Sequence, residues 1–167
     1  VPSIRTDVNV SGFMYEYDQQ GFRVKQSCFG VDGKLAYCTF GYVTVENSYN
    51  ENGYLVKEMY LDEDGNPTLY NDGTDSYCSV SSKPNETGLP LEISYADENG
   101  SPTELSMGAA RITCTYDEAG NMTSQCFYNK GNQPAAVDGF YFEKRMEYDE
   151  FNRQTREYYL NAEGKLT

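Results

Sequence analysis

The segment Tyr116-Asp117-Glu118-Ala119-Gly120 indicates the fold, because close relatives of it recur at nearly even intervals along the chain. These segments begin at residues 17, 49, 84, 116 and 148, so the spacings between them are 32, 35, 32 and 32 residues. A fixed period of this size is typical of repeat proteins, in which each unit buries its apolar face against its neighbours. The other four copies are Tyr17-Asp18-Gln19-Gln20-Gly21, Tyr49-Asn50-Glu51-Asn52-Gly53, the more divergent Pro84-Asn85-Glu86-Thr87-Gly88, and Tyr148-Asp149-Glu150-Phe151-Asn152.

A second turn-forming segment follows each copy, and its glycine lies eleven or twelve residues after the first segment ends. Each unit therefore contains two turns with a short apolar run between them. An aromatic residue stands four or five positions before this second glycine, at Phe29, Tyr60, Tyr95, Phe127 and Tyr159. The second segments are Gly33-Lys34-Leu35, Gly65-Asn66-Pro67, Gly100-Ser101-Pro102, Gly131-Asn132-Gln133-Pro134 and Gly164-Lys165-Leu166.

The residues before each first turn alternate between apolar and polar. Such alternation, rich in β-branched and aromatic residues, predicts half-buried strands. The Asp or Asn of the turn can bond its own backbone and the glycine tolerates positive φ, so each unit is predicted to be a β-hairpin. Asn152 replaces this glycine in the last unit, and Asn is the non-glycine residue best suited to the left-handed region. The alternating sets include Ala110, Ile112, Cys114 and Tyr116, and in the last unit Phe140, Phe142, Met146 and Tyr148.

We therefore predict an all-β fold, in which tandem β-hairpin repeats of about 32 residues form a single elongated, twisted antiparallel meander of ten strands. A single repeat domain is expected over residues 1–167. A bend, bulge or loop is expected near residues 71–88, where Asp72-Gly73-Thr74 resembles a three-residue insertion and Pro84 interrupts the pattern. The approximate units are 13–46, 47–82, 83–114, 115–145 and 146–167.

Charge and composition exclude several classes of partner. The formal net charge is −13, and no stretch supplies the basic patch that a nucleic-acid-binding protein needs. No run of eighteen apolar residues is present, so membrane insertion is not expected. Sixteen tyrosines compensate for a modest hydrophobic content of 38%, since a tyrosine ring can be buried while its hydroxyl reaches water.

The cysteines predict packing rather than metal binding. There are five of them, with no C-x-x-C pair, and the chain has no histidine, which argues against a zinc site. We interpret them as small apolar residues within strands, with one disulfide as the alternative. Cys28 favours this interpretation, because it occupies the position that Tyr60 and Phe127 fill in other units.

The Tyr-Asp-x-x-Gly segments, followed by Asp-x-x-Gly-x-Pro segments, resemble the YD-type repeats of bacterial surface and secreted proteins, of which the Rhs family is best known. More loosely, the hairpin array is similar to MORN-like repeats. The resemblance covers about residues 13–167. It implies an extracytoplasmic β repeat module from a bacterium, located extracellularly or at the cell surface, and it does not itself imply an activity.

No catalytic residue, metal site or cofactor is predicted. Asp62-Glu63-Asp64-Gly65-Asn66 and Asp97-Glu98-Asn99-Gly100 resemble the start of a calcium loop, yet the bidentate Glu and the flanking helices of an EF-hand are missing. Ordinary turns are the favoured interpretation, with adventitious calcium as the alternative. Hydrolysis by paired carboxylates needs a cleft, and turns at the rim of a sheet do not provide one.

The tyrosines supply the candidate binding residues. Rings at matched positions of the repeats are expected to stack across the sheet, namely Tyr15, Tyr17, Tyr49, Tyr60, Tyr95, Tyr116, Tyr148 and Tyr159. Aromatic residues out of phase with the repeat are better placed for exposure and ligand contact. These candidates are Tyr42, Tyr54, Tyr70, Tyr141 and Tyr158.

The sequence as a whole favours a non-catalytic bacterial extracellular module for scaffolding or protein–protein recognition through an extended face. The alternative is a carbohydrate- or cell-wall-binding module that uses tyrosines as platforms for sugar rings. The expected partner is a protein or a cell-surface glycan, with no nucleic acid and no membrane insertion. Edge strands can also pair between copies, so edge-to-edge self-association is a further expectation.

Overall fold

The computed structural model describes residues 10–167, and every regular element in this part of the chain is a β-strand. The long strands have six or seven residues each, as expected for the short alternating segments. The twelve strands are β1 Gly12–Tyr17, β2 Arg23–Phe29, β3 Thr44–Tyr49, β4 Leu55–Leu61, β5 Tyr70–Asn71, β6 Ser76–Tyr77, β7 Ser79–Pro84, β8 Pro90–Ala96, β9 Arg111–Tyr116, β10 Met122–Tyr128, β11 Glu143–Tyr148 and β12 Gln154–Leu160.

Ten of these strands form one antiparallel sheet in the order β1-β2-β3-β4-β7-β8-β9-β10-β11-β12. Strands that are consecutive in the chain are therefore neighbours, except that β5 and β6 pair only with each other. The order confirms the predicted all-β hairpin meander and its ten strands. The additional pair, β5–β6, is not part of the prediction.

The described residues divide into two compact units. Unit 1 comprises residues 10–81 and 96–101, and unit 2 comprises residues 82–95 and 102–167. The single repeat domain predicted over residues 1–167 stays a prediction, and its residues 1–9 lie outside the described part of the chain.

The first turn of each hairpin has one geometry, visible at Asp117. The Asp117 Oδ1 atom accepts hydrogen bonds from the N–H groups of Ala119 (3.0 Å) and Asn121 (2.9 Å). Gly120 adopts a φ of +87°, which glycine tolerates because it has no Cβ atom. Asn152 holds the equivalent place with a φ of +59°, so its predicted left-handed conformation is confirmed.

The second turn of each repeat has the same backbone geometry as the first turn. Asp62 Oδ1 accepts the N–H groups of Asp64 (3.0 Å) and Asn66 (2.7 Å), as Asp117 does in its own turn. In the fourth repeat (residues 115–145) the residue with left-handed φ is Asn132, at +60°, and not the Gly131 that the sequence pattern indicated. The two turn segments of each repeat are thus one structural motif used twice.

One backbone hydrogen bond recurs between successive hairpins. The N–H of the penultimate residue of a hairpin donates to the carbonyl of the residue just before the first strand of the next hairpin. The four bonds run from Cys28 to Val43 (2.8 Å), Tyr60 to Cys78 (2.9 Å), Tyr95 to Ala110 (2.9 Å) and Phe127 to Phe142 (3.0 Å). The acceptors are 35, 32 and 32 residues apart, in agreement with the sequence period. Because the hairpins open at these acceptors, the unit boundaries proposed from the sequence fall inside β3, β7, β9 and β11.

The three-residue insertion forms the small β5–β6 hairpin. Tyr70 pairs with Tyr77 and Asn71 with Ser76, while Asp72 Oδ1 accepts the N–H groups that close the turn. The expected irregularity is therefore limited to the region before Cys78. From there on the chain is regular, because residues 79–84 form the strand β7 and Asn85 begins an ordinary turn.

Each of the two compact units has its own apolar core, which lies under linkers that follow the second turns of its repeats. In unit 1 Val10, Cys28 and Cys38 are buried together, with Phe13, Phe40 and Tyr42 packed against them. The corresponding set in unit 2 is Ala109, Ile112, Cys114, Phe127, Ala135 and Val137. This set includes Ile112 and Cys114 of the alternating set predicted from the sequence, and Ala110 is buried as well.

Phe140 does not belong to the strand face that the sequence pattern assigned to it. The strand β11 begins only at Glu143, and Phe140 lies in a turn, where its N–H donates to the Val137 carbonyl at 3.0 Å. Its side chain is 74% exposed. The prediction that Phe140 shares a buried face with Met146 is therefore wrong.

Candidate functional site

Three of the tyrosines at matched positions, which were expected to stack across the sheet, have a structural role through their hydroxyl groups. The hydroxyl of Tyr49 donates to the Arg23 carbonyl at 3.0 Å, and Tyr116 and Tyr148 donate equivalently to Pro90 (3.0 Å) and Met122 (2.9 Å). Each acceptor is the first residue of the second strand of the preceding hairpin. These three tyrosines therefore connect successive hairpins by hydrogen bonds near the first turns.

The five tyrosines proposed for binding are half-buried, whereas the sequence pattern favoured exposed positions. Tyr42 and Tyr70 lie together in unit 1, with ring centroids 6.3 Å apart. Tyr141 packs against Tyr159 in unit 2 at 4.6 Å. The remaining two, Tyr54 and Tyr158, are half-buried as well. Their role in ligand binding stays a prediction.

A group of tyrosines in unit 1, which we call the tyrosine cluster, consists of Tyr42, Tyr60, Tyr70 and Tyr77. The Tyr60 ring centroid lies 4.9 Å from Tyr42, 5.1 Å from Tyr70 and 5.9 Å from Tyr77. Burial raises the pKa of Tyr60 and of Tyr42, so these hydroxyls stay protonated even in alkaline solution near the ordinary tyrosine pKa of about 10. The short β5–β6 hairpin supplies Tyr70 and Tyr77, and the insertion therefore completes the cluster.

An open groove of about 480 Å³ lies at the rim of the tyrosine cluster. One wall is the turn at Thr39, Phe40 and Gly41, and the other is Asn71–Gly73 of the insertion. The Phe40 ring stacks on Tyr70 at 5.3 Å, and the Asn71 N–H donates to the Phe40 carbonyl at 2.8 Å. Backbone N–H groups of Asp75 and Thr74 lower the pKa of Asp72, so the groove carries a fixed negative charge.

Unit 2 has a group of ion pairs, in which charged side chains are paired across neighbouring strands. Glu92 binds Lys83 at 2.5 Å and Arg111 at 3.0 Å, and hydrogen bonds from Lys83 and then Arg111 lower the pKa of this carboxylate. The Arg111 guanidinium also lies 3.9 Å from the centre of the Tyr128 ring and donates to Asn132. These contacts hold cations of β7 and β9 in fixed positions.

A polar depression of about 430 Å³ extends over β9 to β12. Thr115, Ser124, Arg145 and Tyr158 are successive cross-strand partners, so their side chains form one row on the same side of the sheet. We call this row the Arg145–Tyr158 row. Glu143 fixes the Arg145 guanidinium through contacts of 2.7 and 3.4 Å, and the Thr115 hydroxyl bonds Ser124 at 2.8 Å.

Tyr158 is the one candidate from the sequence that lies in this row. The Arg156 guanidinium stands 4.6 Å from its ring centre, and Arg145 is its direct cross-strand partner. Arg145 itself was not a sequence candidate, because an arginine in an alternating strand looks like any solvated residue. The cross-strand pairing that makes it part of a row becomes visible only when the register is known.

Exposed aromatic side chains occur instead on β1, where the sequence pattern indicated packing. Tyr15 is 46% exposed and Tyr17 is 60% exposed. Phe13 stacks on Tyr15 with ring centroids 6.5 Å apart, and Arg23 lies 5.6 Å from the centre of the Tyr15 ring. We call Phe13, Tyr15 and Tyr17 the β1 aromatic row.

The turns that resemble calcium loops have their carboxylates engaged internally. Asp62 Oδ1 accepts two backbone N–H groups, and its Oδ2 accepts the Asn66 side-chain amide at 3.2 Å. Among residues 10–167 no three His, Cys, Asp or Glu side chains are grouped so as to hold a metal ion. These contacts are those of an ordinary turn.

No protein-family model matches this chain, and no curated protein matches its sequence. Within the described residues, no helix has the length and apolar character needed to cross a membrane. The candidate sites are therefore argued from the positions and contacts of their residues alone.

Proposed function

We propose that this chain is a non-catalytic extracellular module, from a YD-type repeat protein of a bacterium, that recognises a protein partner. The Arg145–Tyr158 row is the observation that carries the proposal. Arginine and tyrosine are the residue types that contribute most to protein interfaces, because both combine a large contact area with polar ends. Here both are held in position by neighbouring side chains before any partner binds.

Preorganisation strengthens this interpretation of the row. Arg145 is paired with Glu143 and is still about half exposed, at 48% of its side chain. A side chain that is already ordered loses less conformational entropy on binding than a free arginine does. The row therefore suits a partner with carboxylates or backbone carbonyls that can accept from the guanidinium edge.

An affinity capture with matched baits tests the proposal. The baits are the wild-type chain, a double variant Arg145→Ala with Tyr158→Ala, and Glu163→Ala, which alters an exposed residue in the turn that follows β12. The surface and secreted fractions of the source bacterium are the samples. A protein retained by the wild type and by Glu163→Ala, and lost with the double variant, supports the proposal. An identical set of proteins on all three baits contradicts it.

The β1 aromatic row favours a second candidate function, which is binding of a cell-surface glycan. Aromatic rings stack on the apolar faces of sugar rings, and Phe13, Tyr15 and Tyr17 alternate along one strand and so project on the same side. The strong exposure of Tyr15 and Tyr17 leaves ring faces accessible. This row adds a second aromatic platform to the one that the sequence pattern suggested for Tyr42, Tyr54, Tyr70, Tyr141 and Tyr158, which stays a prediction.

Retention on insoluble peptidoglycan and on a panel of polysaccharides tests this second function. The double variant Tyr15→Ala with Tyr17→Ala removes the row, and Tyr37→Ala is the matched control, because Tyr37 is 45% exposed and lies outside β1. Retention that is lost only with the double variant supports glycan binding. Absence of retention for the wild-type chain on every polymer refutes it.

A further inference from the structure

The strands β1 and β12 stand at the two ends of the strand order, and among residues 10–167 no strand pairs with the outer edge of either one. Inside the sheet, the second strand of each hairpin pairs with the first strand of the next hairpin, a contact that we call the hairpin junction. The four junctions lie between β2 and β3, β4 and β7, β8 and β9, and β10 and β11. Because β12 is a second strand and β1 is a first strand, each of them presents one half of a junction.

All four junctions have the same register. The third residue from the end of the second strand pairs with the first residue of the next hairpin, as Ser27 does with Thr44. At the outer edges these two positions are held by Tyr158 on β12 and Gly12 on β1. The register in which β1 of one molecule would continue the sheet beyond β12 of another is therefore fixed by the repeat.

The hydrogen-bonding groups of a junction are also present at the two edges. The Tyr159 N–H has the position of the N–H that donates to the next hairpin, and the Ser11 carbonyl has the position of the acceptor. The Tyr17 hydroxyl corresponds to the hydroxyls of the three tyrosines that connect successive hairpins. The acceptor that corresponds to theirs is the carbonyl of Gln154, the first residue of β12. The β1 edge and the β12 edge thus carry complementary groups.

The exposure of β1 shows that a junction normally covers this position. Tyr15 is 46% exposed. The residues at its position in β3, β9 and β11, which are Asn47, Cys114 and Met146, are 9%, 4% and 8% exposed. These three strands are each paired with a preceding hairpin, and β1 has no such neighbour among the described residues. A hairpin added beside β1 would therefore bury the side-chain face that junctions bury elsewhere.

We propose that β1 of one molecule docks on β12 of a second molecule in the register of the hairpin junction, so that copies associate head to tail. A second copy fits the edge because it supplies the Gln154 and Ser11 carbonyls that the Tyr17 hydroxyl and the Tyr159 N–H need. Two copies of the same edge would not bring these donors and acceptors together. The contact is heterologous, since it joins two different surfaces and leaves one edge of each copy free for another. It is separate from the partner proposed for the Arg145–Tyr158 row.

A mixing experiment tests the head-to-tail arrangement, with sedimentation velocity in added salt as the readout. Cys28 donates its N–H toward β3, so alternation also directs the Gln26 backbone groups toward β3, and its β1 partner Tyr15 directs its own N–H outward. Tyr15→Pro therefore blocks the β1 edge, and Glu157→Pro blocks the β12 edge. Each variant alone is expected to remain monomeric. Their equimolar mixture is expected to form pairs, because each variant supplies the edge that the other lacks.

The opposite results of mixing are equally clear. Association of either proline variant by itself shows that like edges meet, and it overturns the proposal. A mixture that stays monomeric, while both variants keep the circular dichroism of the wild type, overturns it as well.

The wild-type chain provides a test that does not depend on how a proline variant folds. Hydrogen exchange, resolved by peptide and compared at low and high protein concentration, reports which strands become protected. Peptides that cover β1 and β12 are both expected to exchange more slowly at high concentration, and the β5–β6 hairpin, outside the ten-stranded sheet, is expected to be unchanged. Protection of only one of the two edges, or a chain that stays monomeric even at millimolar concentration, overturns the proposal.

Tyr17→Phe tests the register through a single hydrogen bond. The substitution removes the hydroxyl and keeps the ring, so stacking on a sugar ring is retained and the glycan function is tested separately. Loss of this bond is expected to weaken self-association about fivefold. Tyr37→Phe is the control, because Tyr37 is 45% exposed and lies outside β1, and it is expected to associate like the wild type. Equal association of the two variants rejects the contact of Tyr17 with Gln154 and the register that places it there.

Discussion

At the scale of single residues, the tyrosine of each Tyr-Asp segment acts through its hydroxyl more than through its ring. The Tyr116 hydroxyl donates to the Pro90 carbonyl, and burial raises its pKa to about 12. Replacing Tyr116 by Phe keeps the ring and removes this hydrogen bond. We expect Tyr116→Phe to lower the free energy of unfolding by about 1 kcal/mol, measured by urea denaturation.

Tyr17→Phe is the control for this residue, because Tyr17 is 60% exposed on β1. Its expected change is within about 0.5 kcal/mol, as for ordinary surface substitutions. Equal losses for the two variants would show that the hydroxyl bond is not what makes Tyr116 important.

The recurrence of these tyrosines could be read from the sequence, whereas their bonding partner could not. The acceptor is a backbone carbonyl 26 residues earlier, and a carbonyl has no signature in the sequence. The same limit explains why Tyr15 was expected to pack and Tyr42 to be exposed. Periodicity identifies which residues are equivalent, but exposure also depends on whether a neighbouring strand or linker covers that position.

At the scale of strands, Glu92 on β8 links β7 and β9 through Lys83 and Arg111. Its pKa lies below the ordinary glutamate value, so its pairing stabilises the fold fully above that value and the stabilisation is lost as the pH falls through the folded-state pKa. We expect Glu92→Gln to be less stable than the wild type near neutral pH. The difference should disappear in acid, below the folded-state pKa.

Thermal unfolding from neutral to acidic pH measures this difference. Glu118→Gln is the control, because Glu118 is exposed in a turn and forms none of the observed ion pairs. A difference between Glu92→Gln and the wild type that persists unchanged into acid would contradict the ion-pair explanation.

The β5–β6 hairpin shows how an insertion is absorbed at the scale of an element. Its three additional residues were identifiable from the change in spacing, but not the hairpin that they form, since two-residue strands have no periodicity. Because β5 and β6 lie outside the ten-stranded order, deletion of residues 72–74 is expected to preserve cooperative unfolding. It should change the near-ultraviolet circular dichroism of the tyrosine cluster, because Tyr70 and Tyr77 lose their turn.

A deletion of equal length in another linker provides the comparison. Residues 106–108 form the turn between Leu105 and Ala109 in a linker without an insertion. Removing them shortens the path to Ala110, which accepts the Tyr95 N–H, and is expected to abolish cooperative unfolding. If both deletions unfold the chain, the β5–β6 hairpin is required for the fold and is not a tolerated insertion.

At the scale of the molecule, the repeat period predicted the order of the strands, because a hairpin array leaves one simple way to pair neighbours. The same order leaves β1 and β12 with one strand neighbour each among residues 10–167. Edge strands with unpaired backbone groups can pair with another copy, but the net charge of −13 opposes such contact at low salt. Self-association, if it occurs through these edges, should therefore increase with salt.

Sedimentation velocity at several protein and salt concentrations measures this association. The Tyr159 N–H occupies the position from which Phe127 donates to the next hairpin, so the N–H of the alternate residue Glu157 is directed to the outer edge of β12. Glu157→Pro removes this donor and should weaken association, whereas Glu157→Ala keeps the donor and should not. Association that is equal in both variants, or that decreases as salt is added, would place the contact on a charged surface away from this edge.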